Sequence, residues 1–143
     1  MISPMVFSIR PKYVEAFRTG EKIFEFRTIE PSVKPRERVL IYETAPMSRI
    51  VCEAVVWCVL KDRPWQIWAQ TYKRGVSHEE FERYFDEREI AVAVGMVPLR
   101  WFDPGIALPD GMAAPQSWAR YNGEWAHVEP PWWPEPAGQL ALC

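Results

Sequence analysis

Lys22, Glu25 and Arg27 lie close together in the segment Gly20-Glu21-Lys22-Ile23-Phe24-Glu25-Phe26-Arg27. Residues 22–28 alternate, with Phe24 and Phe26 on one side and Ile23, Glu25 and Arg27 on the other, as a strand requires. A strand that only filled a core would not carry a carboxylate and a guanidinium on one face, two residues apart. Arg27 could grip a phosphate or a base edge through two parallel hydrogen bonds. Glu25 could orient that arginine, or accept from an exocyclic amine as carboxylates do with cytosine N4. Lys22, at the strand mouth, adds a second positive charge. If desolvated, its lowered pKa would let it act as a general base. The plainer alternative is an ion pair between Glu25 and Arg27 that tethers the strand face.

Further candidates are scattered. Tyr42 and Tyr84 offer aromatic faces for an exposed base, or are core tyrosines with bonded hydroxyls. Tyr84 falls in the apolar stripe Phe81, Tyr84 and Phe85 and so reads more naturally as core. Ser48 and Arg49 follow the turn at Pro46, where a loop could reach a ligand or simply turn. Gln116 and Ser117 follow Pro115 and could return hydrogen bonds to a cleft or lock the last strand. His78, just after a helix cap, reads as solvent-exposed, and His127 has no assignment. Cys52, Cys58 and Cys143 form no CxxC pair, and two histidines do not complete a zinc site. Neither a metal nor a cofactor is expected. The cysteines read as buried or free thiols in a reducing compartment.

Short elements must position these groups. Met5 to Arg10 reads as a first strand. Pro11 opens a helix of about nine residues that Gly20 closes, because proline suits the first turn and glycine the left-handed cap. Arg38 to Glu43 and Arg49 to Leu60 are further strands. The second has an apolar face of Cys52, Ala54, Val56, Cys58 and Leu60. Pro64 opens a helix that presents Trp65, Trp68, Ala69 and Tyr72 and ends at Gly75. Ser77-His78-Glu79-Glu80 is an S-x-x-E capping box, so a third helix begins there. Ile90 to Val97 is a fifth strand. Beyond Pro98 the chain reads as irregular, with possible short strands at 99–102 and 118–121. Strands separated by such short helices predict an α+β fold with a small curved sheet or barrel.

With 143 residues the chain holds one domain, or one domain and a short appendage. A net charge of −2 excludes a nucleic-acid binder that works by bulk charge. The charge is uneven. Residues 1–49 carry nine Lys/Arg against six Asp/Glu, whereas residues 101–143 carry one against five. An anion-binding face would therefore be built mainly from the first third. Proline is in excess, at 14 where average usage gives about 7. The longest apolar stretch, Ile90 to Leu99, is half a membrane span, and the N-terminus lacks signal-peptide order. A soluble, cytoplasmic protein without a membrane partner is expected.

Four segments together resemble the ASCH domain family, of the PUA-like superfamily. Ser8-Ile9-Arg10-Pro11-Lys12-Tyr13 with the G-x-K-x-x-E-x-R run is the strongest. Val39-Leu40-Ile41-Tyr42 with Pro46 and Ile50-Val51, Phe81-Glu82-Arg83-Tyr84-Phe85, and Ala114-Pro115-Gln116-Ser117-Trp118 with Tyr121 follow in the family's order. The resemblance implies a PUA-like β-barrel with flanking short helices and a polar cleft. It also implies a role in binding RNA or a nucleotide-like ligand, with Lys22, Glu25, Arg27, Tyr42, Ser48, Tyr84, Gln116 and Ser117 as ligand-binding candidates. Some small members are amidohydrolases that release an acyl group from N4-acetylcytidine with a Lys, a Thr and a Glu. The Lys matches Lys22. Glu25 stands where the Thr is expected, so Lys22 and Glu25 are the catalytic candidates. Glu79, Glu80 or Glu82 could be the remaining acid.

The expected organisation is an ASCH/PUA-like domain over residues 1–122 and a Trp/Pro-rich extension over 123–143 packed back on it. A protein-interaction role through Trp132 and Trp133 is the third functional alternative.

Overall fold

The computed structural model describes residues 3–71 and 76–126. Six strands and three short helices follow in the order β1 (Met5–Ile9), α1 (Pro11–Thr19), β2 (Phe24–Arg27), β3 (Arg38–Glu43), β4 (Arg49–Asp62), α2 (Pro64–Thr71), α3 (His78–Tyr84), β5 (Ala91–Ile106) and β6 (Trp118–Arg120). The strands form one sheet in the order β2-β5-β4-β3-β1-β6. It curls into a half-barrel, and the α+β PUA-like expectation holds. Only β1 and β3 run parallel, with Phe7 opposite Ile41; the remaining pairs are antiparallel.

Strand alternation and the curl divide the apolar residues into three clusters. Inside the curl, Phe7, Ile9, Val39, Ile41, Val92, Val94 and Met96 pack against Val14 and Phe17 of α1. Helices α2 and α3 cover the far face of β2 and β5, where Phe24 and Phe26 meet Ile67, Phe81 and Phe85. Phe26 and Phe81 pack edge to face with ring centroids 5.1 Å apart. The third cluster holds Val6, Leu40, Tyr42 and Ile50 under Trp125. Trp125 thus lies back on the domain. The proposed docking residues Trp132 and Trp133, together with Tyr72, Gly75, His127 and Cys143, lie outside the described residues.

Three expectations change. β5 does not stop at Pro98 but runs to Ile106, because the β4–β5 register shifts between Glu53 and Ala54, and Pro98 faces Ala54 at that irregularity. A bulge is where a strand tolerates proline. The apolar face of β4 is not one surface. A second shift between Val56 and Cys58 leaves Cys52, Ala54 and Val56 inside the curl and sends Cys58 and Leu60 to the α2/α3 side. Trp65, expected in the core, is 67% exposed at the start of α2, where Ile67 takes the buried position.

Candidate functional site

Helix α1 delivers Lys22. Gly20 adopts the left-handed conformation at φ 85°, and its N–H donates to the Phe17 carbonyl at 3.3 Å. The Lys22 N–H then donates to the Ala16 carbonyl at 3.0 Å. This cap folds the lysine back beneath its own helix. Lys22 is 2% exposed, and its Nζ lies 5.1, 5.6 and 5.0 Å from the ring centroids of Tyr13, Phe17 and Phe26. Burial lowers its pKa well below the usual lysine value, and the charge of Arg27 adds to this while Glu25 opposes it. A lysine so placed holds its proton less tightly than an exposed one.

Strand β2 supplies the partners. Glu25 is 9% exposed and Arg27 8%, on the side opposite the Phe24/Phe26 cluster. Glu25 spans both cations, with Oε1 3.5 Å from Lys22 Nζ and Oε2 2.8 Å from Arg27 Nη2. Arg27 also donates from Nη1 to Ser117 Oγ at 2.6 Å and from Nη2 to the Ser8 carbonyl at 3.1 Å. Its Nε is buried without a partner. Two further bonds fix the 115–117 segment beside β1. The Ser8 N–H donates to the Ser117 carbonyl at 3.0 Å, and Ser8 Oγ to the Pro115 carbonyl at 2.6 Å.

Helix α3 brings Glu80. The expected capping box forms, with the Glu80 N–H donating to Ser77 Oγ at 3.2 Å. The Glu80 carboxylate then accepts from the Tyr13 hydroxyl and, at 3.1 Å, from Lys12 Nζ, so α1 and α3 are clasped across the site. Those donors hold the Glu80 carboxyl below its usual range, the Tyr13 hydroxyl being the main cause. The Tyr13 phenol is pushed up to about 12, first by burial and then by its bond to Glu80.

Together these groups line an open cavity of about 440 Å³. Lys22, Glu25, Arg27, Tyr84, Gln116 and Ser117 are in its wall. Tyr84 is 47% exposed rather than core, because Phe81 and Phe85 take the inward positions of the short α3. Tyr42 and Ser48 are not in the wall. Tyr42 shares the strand face of Leu40 and is buried in the Trp125 cluster on the opposite side of the sheet from Ile41. Ser48 is exposed in the β3–β4 turn at φ 51°. Ser8, Arg10, Tyr13 and Thr44 are in the wall but were not among the expected residues. The R-P-K-Y run that opens α1 was the available signal for Arg10 and Tyr13. Of the three α3 acids considered, Glu80 is the one in the cavity.

Elsewhere, His78 is exposed, 3.0 Å from Glu82 and stacked on Trp68. Among the described residues no three His, Cys, Asp or Glu side chains cluster, and no helix is long and apolar enough to cross a membrane.

A curled six-stranded half-barrel with three short helices and a charged pocket at the ends of β1 and β2 defines a PUA-like α+β domain. The ASCH domain profile matches residues 7–100, and the chain belongs to the ASCH domain family. Among solved structures it is similar to the ASCH protein from Zymomonas mobilis, at 22% identity and TM-score 0.73, covering 84% of this chain and 88% of that one. A single-residue variant of the same protein matches at TM-score 0.73 and 22% identity, over 84% of this chain and 91% of that one. Protein EF3133 from Enterococcus faecalis V583 matches at TM-score 0.57 and 13% identity, over 71% of this chain and 84% of that one. Comparison with the curated proteins gives no match.

Proposed function

We propose that the domain, read as residues 1–122 with 123–143 as an extension, binds an exposed base of RNA or a modified nucleoside in this pocket. The observation that carries the reading is the fixed pair of Glu25 and Arg27 in the wall of an open cavity of about 440 Å³, with Tyr84 beside it. Cavities of this size suit small ligands. A pair of buried charges that served only to tether β2 would have no need of a cavity. Lys22 and Arg27 are each paired with Glu25, which holds the carboxylate and guanidinium in register before a ligand arrives. Such a pair offers an acceptor beside a donor, the pattern a base edge presents in reverse. The half-exposed Tyr84 ring adds a stacking surface. Few phosphates would be contacted, so salt dependence should be modest. The test is a binding titration with short single-stranded RNA at low salt. Binding by the wild type that is weakened by Arg27→Ala supports the reading. Absence of binding by either protein removes it.

A second reading, hydrolysis of an acylated cytidine, is favoured by the lowered pKa of Lys22 and by Glu80 in the same cavity. A neutral Lys22 amine would take a proton from water as the water oxygen bonds to the acyl carbon. The carbon–N4 bond then breaks, and the amine of cytidine leaves with a proton. Release of cytidine from N4-acetylcytidine, lost in Lys22→Ala, is the outcome this reading requires.

A further inference from the structure

The polar groups of the pocket fall into two sets. Those of the floor are committed to one another: Lys22 and Arg27 to Glu25, Arg27 to Ser117 and Ser8, Ser8 to Pro115, and Tyr13 to Glu80. Those of the rim are not. Arg10, Thr44 and Gln116 have side chains with no hydrogen bond or ion pair among the described residues. The backbone gathers these three. The Thr44 N–H donates to the Ile9 carbonyl at 3.0 Å, so the ends of the parallel strands β1 and β3 bring Thr44 next to Arg10. The Ser8–Pro115 bond holds Gln116 near the same end.

The neighbouring hollow beside α1 and α3 carries carboxylates instead. A second cavity of about 280 Å³ shares Tyr13, Val76 and Glu80 with the first and is lined by Glu15, Glu21 and Glu80 against Lys12 alone. The Tyr13–Glu80 clasp stands between the two. Glu80 is paired with Lys12 and Glu15 with Arg18. The asymmetry is therefore one uncompensated guanidinium, Arg10, against one carboxylate without an ion pair among the described residues, Glu21. A neutral nucleoside has no use for that asymmetry, whereas an anionic substituent does. It would be repelled from the α1/α3 side and drawn to Arg10, where a guanidinium can take two phosphate oxygens and a hydroxyl a third.

We infer that the pocket's ligand carries a phosphate, held by Arg10 with Thr44, so that the site recognises a nucleotide and not a neutral nucleoside. This inference rests on the base-binding reading and adds the ligand's anionic end. The phosphate belongs either to a free mononucleotide or to an RNA strand whose base enters the pocket.

The experiment is calorimetric titration of the full chain with cytidine, cytidine 5′- and 3′-monophosphates, and a single-stranded RNA trinucleotide. Wild type is compared with Arg10→Gln and Arg10→Lys. Arg10 is exposed and unpaired, so both variants should keep the fold. A phosphorylated ligand should bind about tenfold or more tightly than cytidine, as one charge-assisted contact provides. Arg10→Gln should remove that difference, and Arg10→Lys should restore part of it. If a monophosphate shows the full effect, the free nucleotide is the source. If only the trinucleotide shows it, a strand phosphate is. Equal affinity for cytidine and every phosphorylated ligand, unchanged by Arg10→Gln, overturns the inference and leaves the base-binding reading standing. If nothing in the series binds, both fall.

Discussion

Replacing Glu25 by glutamine tests whether the centre of the pocket is held by charge. Glu25 is the carboxylate that faces both Lys22 and Arg27, and all three are buried. Removing one partner of a buried ion pair costs about 3–5 kcal/mol, because the other charge is left uncompensated. Features of this site reduce that figure. Glutamine keeps a carbonyl oxygen for Arg27, Arg27 keeps Ser117 and the Ser8 carbonyl, and Lys22 can release its proton. We expect a loss of about 2–3 kcal/mol near neutral pH, or roughly 5–10 °C in Tm for a domain of this size. The pH dependence follows from Lys22. Its native pKa lies below the ordinary 10.5, so between those two values the unfolded chain binds more protons than the native one. Stability therefore rises with pH through that window. Glu25→Gln removes the support that holds the lysine's pKa up, and the window extends to lower pH. The penalty should shrink as pH rises. Lys22→Met, which keeps the length and removes the charge, should lose the pH slope and match or exceed the wild type in stability. Urea unfolding followed by tryptophan fluorescence over a pH series measures all three proteins. A Glu25→Gln variant within about 0.5 kcal/mol of wild type throughout, or a penalty that grows with pH, would refute the reasoning.

Ser117→Ala removes the 2.6 Å acceptor of an arginine whose Nε is already unpartnered. We expect a loss of about 1.5–3 kcal/mol in urea unfolding, the range for hydrogen bonds to charged groups. Glu80→Gln should flatten the acid limb of the stability curve. The native carboxyl titrates below its ordinary 4.5, so its contribution is complete above that value and is lost as pH falls through the lowered native one. Acid titration followed by circular dichroism would detect this. Trp125→Ala should cost about 3–5 kcal/mol, as large-to-small core changes do, because Trp125 covers Tyr42, Val6 and Leu40. RNA binding by the folded protein should be unchanged, and a matching loss of binding would show that the cluster also shapes the pocket.

The Lys22/Glu25/Arg27 set was legible because it depends on local rules. A left-handed glycine after α1, a short turn and period-two alternation place all three with no knowledge of the rest of the chain. The Ser77–Glu80 cap was legible for the same reason. Tyr42 was not. Alternation places it with Leu40 and opposite Ile41, but only the curl of the sheet decides which of those faces meets the pocket. Thr44 and Ser8 enter because β1 pairs in parallel with β3, a contact that leaves no local mark. Pro98 looked like a stop because the irregularity that accommodates it, with Leu99 the extra residue on β5, shows only once β4 is paired alongside. The extent of the α1–α3 clasp was hidden likewise, since Tyr13 and Glu80 are 67 positions apart.

The bonds that close the pocket join distant parts of the chain. Arg27 meets Ser117 across 90 positions, and Ser8 meets Pro115 across 107. A ribosome delivers the lysine, glutamate and arginine early and the 115–117 segment late. Until that segment arrives, Arg27 Nη1 lacks its Ser117 acceptor and one wall of the cavity is missing. Long-range closure of this kind is slow relative to local helix formation. On the base-binding reading, affinity would then depend on the 115–117 segment, and a copy terminated before it would have the cations without the site. Ligand capture would, on that reading, separate copies that have folded the 115–117 segment into place from shorter fragments that carry the same family signature.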